Sequence, residues 1–239
     1  MRYSVLLAYI LFCISANSQT NVPLLVSDTD SIYSPRLTGE TFIDLKKYTG
    51  NQYIHEDWVE ADILLSTGET AYKSKIKYNG LLDEVIWINP YSLRKIKVDK
   101  QQISEFWFKN SQGESIHFKK IRVDNPATNE KTDIFAEVAV EGKVSLYIQR
   151  KITKIGQENR FNEDKLYTFD VIGPKPAYYI KLPSNRYVAM TIIRRNSFLK
   201  LFPAERKSII KLLNKNHLNF KTESSFAKII ELINTEIFL

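Results

Sequence analysis

Cysteine is almost missing from this chain of 239 residues: the only one, Cys13, sits in an apolar stretch near the N-terminus. Everything downstream of it therefore forms no disulfide, carries no thiol nucleophile and offers no thiolate to a metal. Histidine is scarce as well. His55, His117 and His217 are so far apart that no pair has metal-ligand spacing, which leaves no local zinc motif. The eight glycines build neither a phosphate-cradling loop nor a Gly-x-Ser-x-Gly nucleophile elbow, and this argues against nucleotide chemistry. Beyond the N-terminal region no apolar run is long enough to cross a bilayer as a helix. No metal and no cofactor are expected.

What is present begins with "MRYSVLLAYILFCISANSQT". One positive charge at Arg2, an uncharged apolar run from Val5 to Ile14 and small residues at Ala16 and Ser18 have the layout of a secretory signal peptide. The expected leader is residues 1–18, with Gln19 as the first mature residue. Phe12 precedes Cys13 where lipoprotein processing requires a small residue, so lipidation is not expected. The chain is thus expected to be exported, to the periplasm or the cell surface, and to be stabilised by its core alone. Its formal charge is +7, and loss of Arg2 with the leader lowers it to +6. An exported basic protein meets little nucleic acid, but it does meet lipid phosphates and acidic glycans.

Residues 19–40 are rich in Ser, Thr, Asp and Pro without a sustained period, and read as an extended N-terminal segment. Within it, Asp30, Ser31 and Ile32 match a short bacterial O-glycosylation acceptor, so Ser31 is a candidate glycosylation site; a polar turn is the plainer reading. From 41 to 194 short β-like runs alternate with turn residues. "STGET" and "EGK" are tight connections, and strands joined so briefly must be antiparallel. Lys73, Lys75 and Lys77 share one strand face, with Tyr72, Ile76 and Tyr78 on the other. In "SIHFKKIRV" the apolar parity changes between Phe118 and Ile121, which a β-bulge at Lys119 and Lys120 would accommodate. Residues 156–165 read as a polar loop. Over 195–239 the period becomes helical: Ile209, Ile210, Leu212 and Leu213 form one stripe, and Phe226, Ile229, Ile230, Ile233 and Ile237 a second, with Thr222 at the start of the last helix. The expected fold is mainly β, an antiparallel meander sheet or partial barrel followed by a C-terminal helical hairpin.

The densest polar cluster is "YIHEDW", Tyr53 to Trp58. His55, Glu56 and Asp57 are the candidates for acid or base chemistry beside an aromatic platform. Neighbouring residues of a strand point to opposite faces, however, so Glu56 and Asp57 cannot jointly flank one bond from a strand. Trp58 and Trp107 are the candidate ligand-binding aromatics. In "EFWF" Phe106 and Phe108 face one way and Trp107 the other, so Trp107 is either core or recognition surface according to what covers its face.

The pieces "ADILLSTGE", "IKYNGLLDEVIWI", "EGKVSLYIQRK" and "LKLFPAERKSIIKLLNKNHLNFKTE", in that order from about Gly39 to Asn234, resemble a family of uncharacterised exported proteins of Bacteroidota-type bacteria. The resemblance implies an envelope-associated protein and assigns no functional residue. Three functions stay open. The first is non-catalytic binding of another envelope component, whether protein, glycan or lipid. The second is hydrolysis of envelope glycans or peptides using His55, Glu56 or Asp57. The third is lipid carriage in a barrel lined by Tyr72, Ile76, Trp87 and Phe106.

Overall fold

The run Val59 to Leu65 buries Ala61, Ile63 and Leu65 and leaves Glu60, Asp62 and Leu64 at least partly exposed, the period-2 pattern of a strand with one wet face. A computed structural model describes residues 36–44, 48–124, 130–162, 165–190 and 192–238; the expected leader and Ser31 lie outside the described residues. The strands are β1 (Gly39–Thr41), β2 (Tyr48–Thr49), β3 (Val59–Leu65), β4 (Thr70–Asn79), β5 (Glu84–Ile88), β6 (Lys95–Val98), β7 (Ile103–Lys109), β8 (Ser115–Asp124), β9 (Lys131–Val140), β10 (Ser145–Gln149), β11 (Ile152–Asn162), β12 (Lys165–Pro174), β13 (Ala177–Lys181) and β14 (Tyr187–Met190). Three helices follow, α1 (Arg195–Leu199), α2 (Arg206–Lys215) and α3 (Glu223–Glu236). None of the described helices is long and apolar enough to cross a membrane.

Eleven strands form one antiparallel sheet in the order β1-β6-β5-β4-β3-β7-β8-β9-β10-β13-β14. It is a double meander: from β3 the chain runs outward to β6, then returns to lay β7 on the other side of β3. Four steps separate β6 from β7 in this order, about 19 Å across a flat sheet at ~4.8 Å per step. The link is short, and Lys100–Gln102 within it form a tight 3-10 turn that rises only ~2 Å per residue. The sheet must therefore curl to let the chain make this step. It does so without closing into a barrel. The curl brings the turn between β4 and β5 onto β9, where the Asp83 carboxylate accepts the Phe135 N–H at 3.2 Å. The same turn takes a backbone bond from Ile152 N–H to the Gly80 carbonyl at 2.9 Å.

The concave side of the curl is filled. Phe106, Phe118 and Phe135 are wholly buried together with Ile63 and Ile76. Phe106 stacks on Phe118 at 4.8 Å between ring centroids and meets Phe135 edge-on at 5.4 Å. Ile76 and Phe106, expected to line a lipid chamber, are part of this packing. Tyr72, expected on the same inner side, is 72% exposed. The cause is a register shift between β3 and β4 at Ala61 and Ile63, where Lys73 adopts φ 49°. A bulge there swings Tyr72 outward beside Lys73, while Lys75 and Lys77 stay unburied and Ser74, Ile76 and Tyr78 stay buried.

The parity change in β8 has a different origin from a bulge. β8 stays in register with β7 from Glu105↔Lys119 to Lys109↔Ser115, and with β9 from Phe118↔Glu137 to Asp124↔Lys131. Instead the buried face switches along the strand. Phe118 joins the concave core, whereas Ile121 and Val123 pack on the opposite face with Ile134, Ala136 and Tyr147.

The third cluster lies beneath the helices. Ile209, Leu212 and Leu213 of α2 and Phe226, Ile229, Ile230 and Ile233 of α3 cover Leu146, Ile148 and Ile180 of the sheet. Thr222 caps α3 by accepting the Ser225 N–H at 3.2 Å. Arg150 ties this cap to the sheet: its guanidinium donates to both Glu223 oxygens at 2.8 and 2.9 Å and to Glu137 at 2.5 Å. Burial would lower the Arg150 pKa, but these two carboxylates outweigh it and push it well above its usual value.

Of residues 156–165, expected as a loop, the described ones, 156–162 and 165, instead belong to the paired strands β11 and β12, with β2 added in parallel to form a second, three-stranded sheet. On one face its cross-strand bonds are polar, with Thr168 donating to Asn159 at 2.9 Å and Gln157 to Asp170 at 3.0 Å, and on the other Glu158 and Arg160 pair with Phe169 and Tyr167. Such a strand pair shows no apolar alternation.

Candidate functional site

On the outer face of β3, β7 and β8 the cross-strand register lines up Asp62, Trp107 and His117 in one row and Leu64, Glu105 and Lys119 in the next. None of these six is buried, whereas Ile63, Phe106 and Phe118 on the inner face are. "EFWF" is thus resolved: Phe106 and Phe108 are core, and Trp107 belongs to the open face. His117 meets the Trp107 ring edge-on at 6.0 Å, and its Nε2 lies 2.7 Å from Glu105 Oε2. Lys119 reaches the other Glu105 oxygen at 2.8 Å. Burial pushes the Glu105 carboxyl up, but the hydrogen bonds and charges of Lys119 and His117 outweigh it and leave it below its usual value. These three side chains form a bonded cluster beside Trp107.

The segment "YIHEDW" wraps round the strand ends. Its inward side chains pack on the core: Ile54 against the concave cluster and the His55 ring edge-on to Phe108 at 4.9 Å. Burial holds the His55 imidazole below its usual pKa, against the opposing pull of Glu137. The outward rings instead grip a lysine. Lys77 Nζ lies 4.9 Å from the Tyr53 ring centre and 5.5 Å from that of Trp58, and it donates to the Glu56 backbone carbonyl. Cation–π contact of this kind anchors the loop to the sheet. Glu56 and Asp57 point into solvent.

A groove of about 900 Å³ results, lined by Trp58, Trp107, Val59, Phe108 and the β7–β8 turn residues Asn110 and Ser111 among others. A second hollow of about 570 Å³ adjoins it, sharing Glu56 and Trp58 and adding Tyr53, Lys77 and Asn51. The structure therefore gathers all five sequence candidates, His55, Glu56, Asp57, Trp58 and Trp107, at one place. It does not arrange the first three for chemistry. The His55 ring is held by ring packing, with no hydrogen bond to either carboxylate, and Glu56 and Asp57 carry no side-chain bond to another described residue. Among the described residues no three His, Asp or Glu side chains are grouped to hold a metal.

Sequence reasoning missed Asp62, Lys73, Lys109 and Ser115, which also line the groove. Asp62 was readable as the outward partner in "VEADILL"; the other three reach the site through a bulge and a turn. Asp62 Oδ1 accepts the Lys73 N–H at 2.9 Å, so the carboxylate holds the bulge that shapes the rim. No family model, no curated protein and no solved structure matches this chain.

Proposed function

We propose that this protein is an exported, non-catalytic envelope protein that binds another envelope component in the groove between Trp58 and Trp107. The observation that carries this reading is Trp107 itself: a large ring on the wet face of the sheet, between two fully packed phenylalanines, at the wall of an open groove. Aromatic side chains so placed supply contact area at little cost in conformational entropy. The leader-like N-terminus and the resemblance to exported Bacteroidota-type proteins support an envelope location, periplasm or cell surface. A hydrolase would need an acid and a base positioned on one bond, and His55, Glu56 and Asp57 are not so disposed. Lipid carriage would need an empty barrel, and the curl is open at its edges and packed inside.

The test is tryptophan fluorescence titration of the purified protein with separated glycan, lipid and protein fractions of bacterial envelope, beside Trp107→Ala and Trp58→Ala. One fraction should give a saturable change that Trp107→Ala abolishes, and its component should be recovered chemically unchanged. Release of cleaved product would replace this reading with the hydrolase, and no Trp107-dependent change in any fraction would end it.

A further inference from the structure

The groove inverts the charge of the molecule. The chain carries a formal charge of +7, yet four carboxylates line the groove, Glu56, Asp57, Glu60 and Asp62, against two ammonium groups, Lys73 and Lys109. The carboxylates elsewhere on this face and in the interior are engaged: Glu105 with Lys119, Asp83 with Lys100, Glu137 and Glu223 with Arg150. None of the six charged groups of the groove takes part in an ion pair among the described residues. Apart from the Asp62 bond to the Lys73 backbone, none of their side chains bonds another described residue, and Glu56, Asp57 and Glu60 are exposed at the groove.

From this we infer that the ligand is a neutral or cationic glycan, an inference that rests on the binding reading of the same groove. A pyranose ring has one face of C–H groups, which packs on an indole, and an edge of hydroxyls, which donate to carboxylates. Trp107 supplies the platform, and Asp62, its neighbour across the strands, supplies an acceptor beside it. Glu60 and Asp57 extend the acceptors along the groove. A protonated amino sugar gains further from the net negative lining. An anionic polymer or a phospholipid headgroup is attracted by the molecule as a whole but repelled by this groove, so its binding would be salt-sensitive and independent of Trp107. The experiment is affinity electrophoresis of the purified protein through gels containing a neutral glucan, a polyglucosamine in mildly acidic buffer, or polygalacturonate, at low and moderate salt. The glucan or the polyglucosamine should retard the protein, and Trp107→Ala should weaken this by about tenfold or more. Asp57→Asn with Glu60→Gln should weaken the polyglucosamine arm about fivefold and the glucan arm distinctly less, because the amide oxygens still accept a hydroxyl but carry no charge. Trp107-dependent retardation by polygalacturonate alone would overturn the charge inference while keeping the groove as a binding site. Trp107-dependent fluorescence change with lipid or protein fractions, and none with any glycan, would overturn the glycan class while keeping the binding reading.

Discussion

The Tyr78 hydroxyl donates to Asp83 Oδ1 at 2.6 Å from inside the concave core, where Tyr78 is only 3% exposed. Asp83 sits in the turn after the same strand, and its two oxygens also take the Lys100 ammonium at 2.7 Å and the Phe135 N–H. One carboxylate thus joins β4, β9 and the link between β6 and β7, the three places that the curl brings together. Burial pushes the Asp83 carboxyl above its usual pKa, although Lys100, Tyr78 and Phe135 all pull it down. Burial likewise drives the Tyr78 hydroxyl well up. Asp83→Ala removes the carboxylate from a buried hydroxyl and from the partly exposed Lys100 ammonium at once and is expected to cost about 2–4 kcal/mol. Asp83→Asn keeps one acceptor and tolerates the φ of 58° found there, so it should cost distinctly less. Urea unfolding midpoints of the two variants check this, and equal losses would show that the carboxylate charge, which both variants remove, matters rather than the acceptor or the turn conformation.

Asn234, near the end of α3, clasps the backbone of Val144: its Oδ1 accepts the N–H at 2.9 Å and its Nδ2 donates to the carbonyl at 2.7 Å. A Cβ on Gly142 would come within 2.5–2.9 Å of the same amide group. Asn234→Ala is expected to cost about 1–3 kcal/mol, the penalty for unpaired, partly buried backbone groups. Gly142→Ala should cost a similar amount by evicting the clasp, and almost nothing once Asn234 is already alanine. A double-mutant cycle measures that coupling, and additive losses would mean that the two residues do not share one mechanism.

His55 is expected to make stability depend on pH in the mildly acidic range. Burial lowers its folded pKa below 6.5, so between the folded and unfolded values the unfolded chain holds more protons. Stability is then fully present above the unfolded value and falls as pH drops toward the folded one. His55→Phe keeps a ring against Phe108 but cannot titrate. Its unfolding free energy should decline less steeply than that of the native protein as pH is lowered through that window; parallel declines would place the titrating group elsewhere.

How much of this was legible beforehand divides by physical cause. Alternation revealed β3, the opposite faces of Phe106 and Trp107, and the two helical stripes, because in each case one face is wet and the other packed. It misread β8, since a parity change can mean an inserted residue or a switch of the buried face, and only the register with β7 and β9 separates the two. It misplaced Tyr72 because Lys73 takes a left-handed conformation that its side chain does not advertise. Residues 156–165 were read as a loop because a hairpin held by polar cross-strand pairs has no apolar face to detect. The groove follows the same division. Its aromatic and acidic candidates lie in two short segments that can be quoted, while Lys73, Lys109 and Ser115 arrive from separate elements whose meeting depends on the curl.

The strongest check on the site lies in one adjacent pair of residues. Phe106 has no exposed surface and touches the rings of Tyr78, Phe118 and Phe135. Phe106→Ala removes the centre of that cluster and should cost about 3–5 kcal/mol, with the cavity adding to the lost transfer energy. Trp107 is the larger side chain, and on size alone its truncation should cost more. Trp107 is, however, partly exposed on the outer face, where it meets the His117 ring, and Trp107→Ala should cost less, about 1–2 kcal/mol. Stability and binding would then separate, with Phe106→Ala weakening the fold and Trp107→Ala weakening ligand binding in a protein that still melts normally. Thermal unfolding of both variants, read before any binding experiment, decides the matter. If Trp107→Ala proves as destabilising as Phe106→Ala, the indole is serving the core, and its loss could no longer report on the groove.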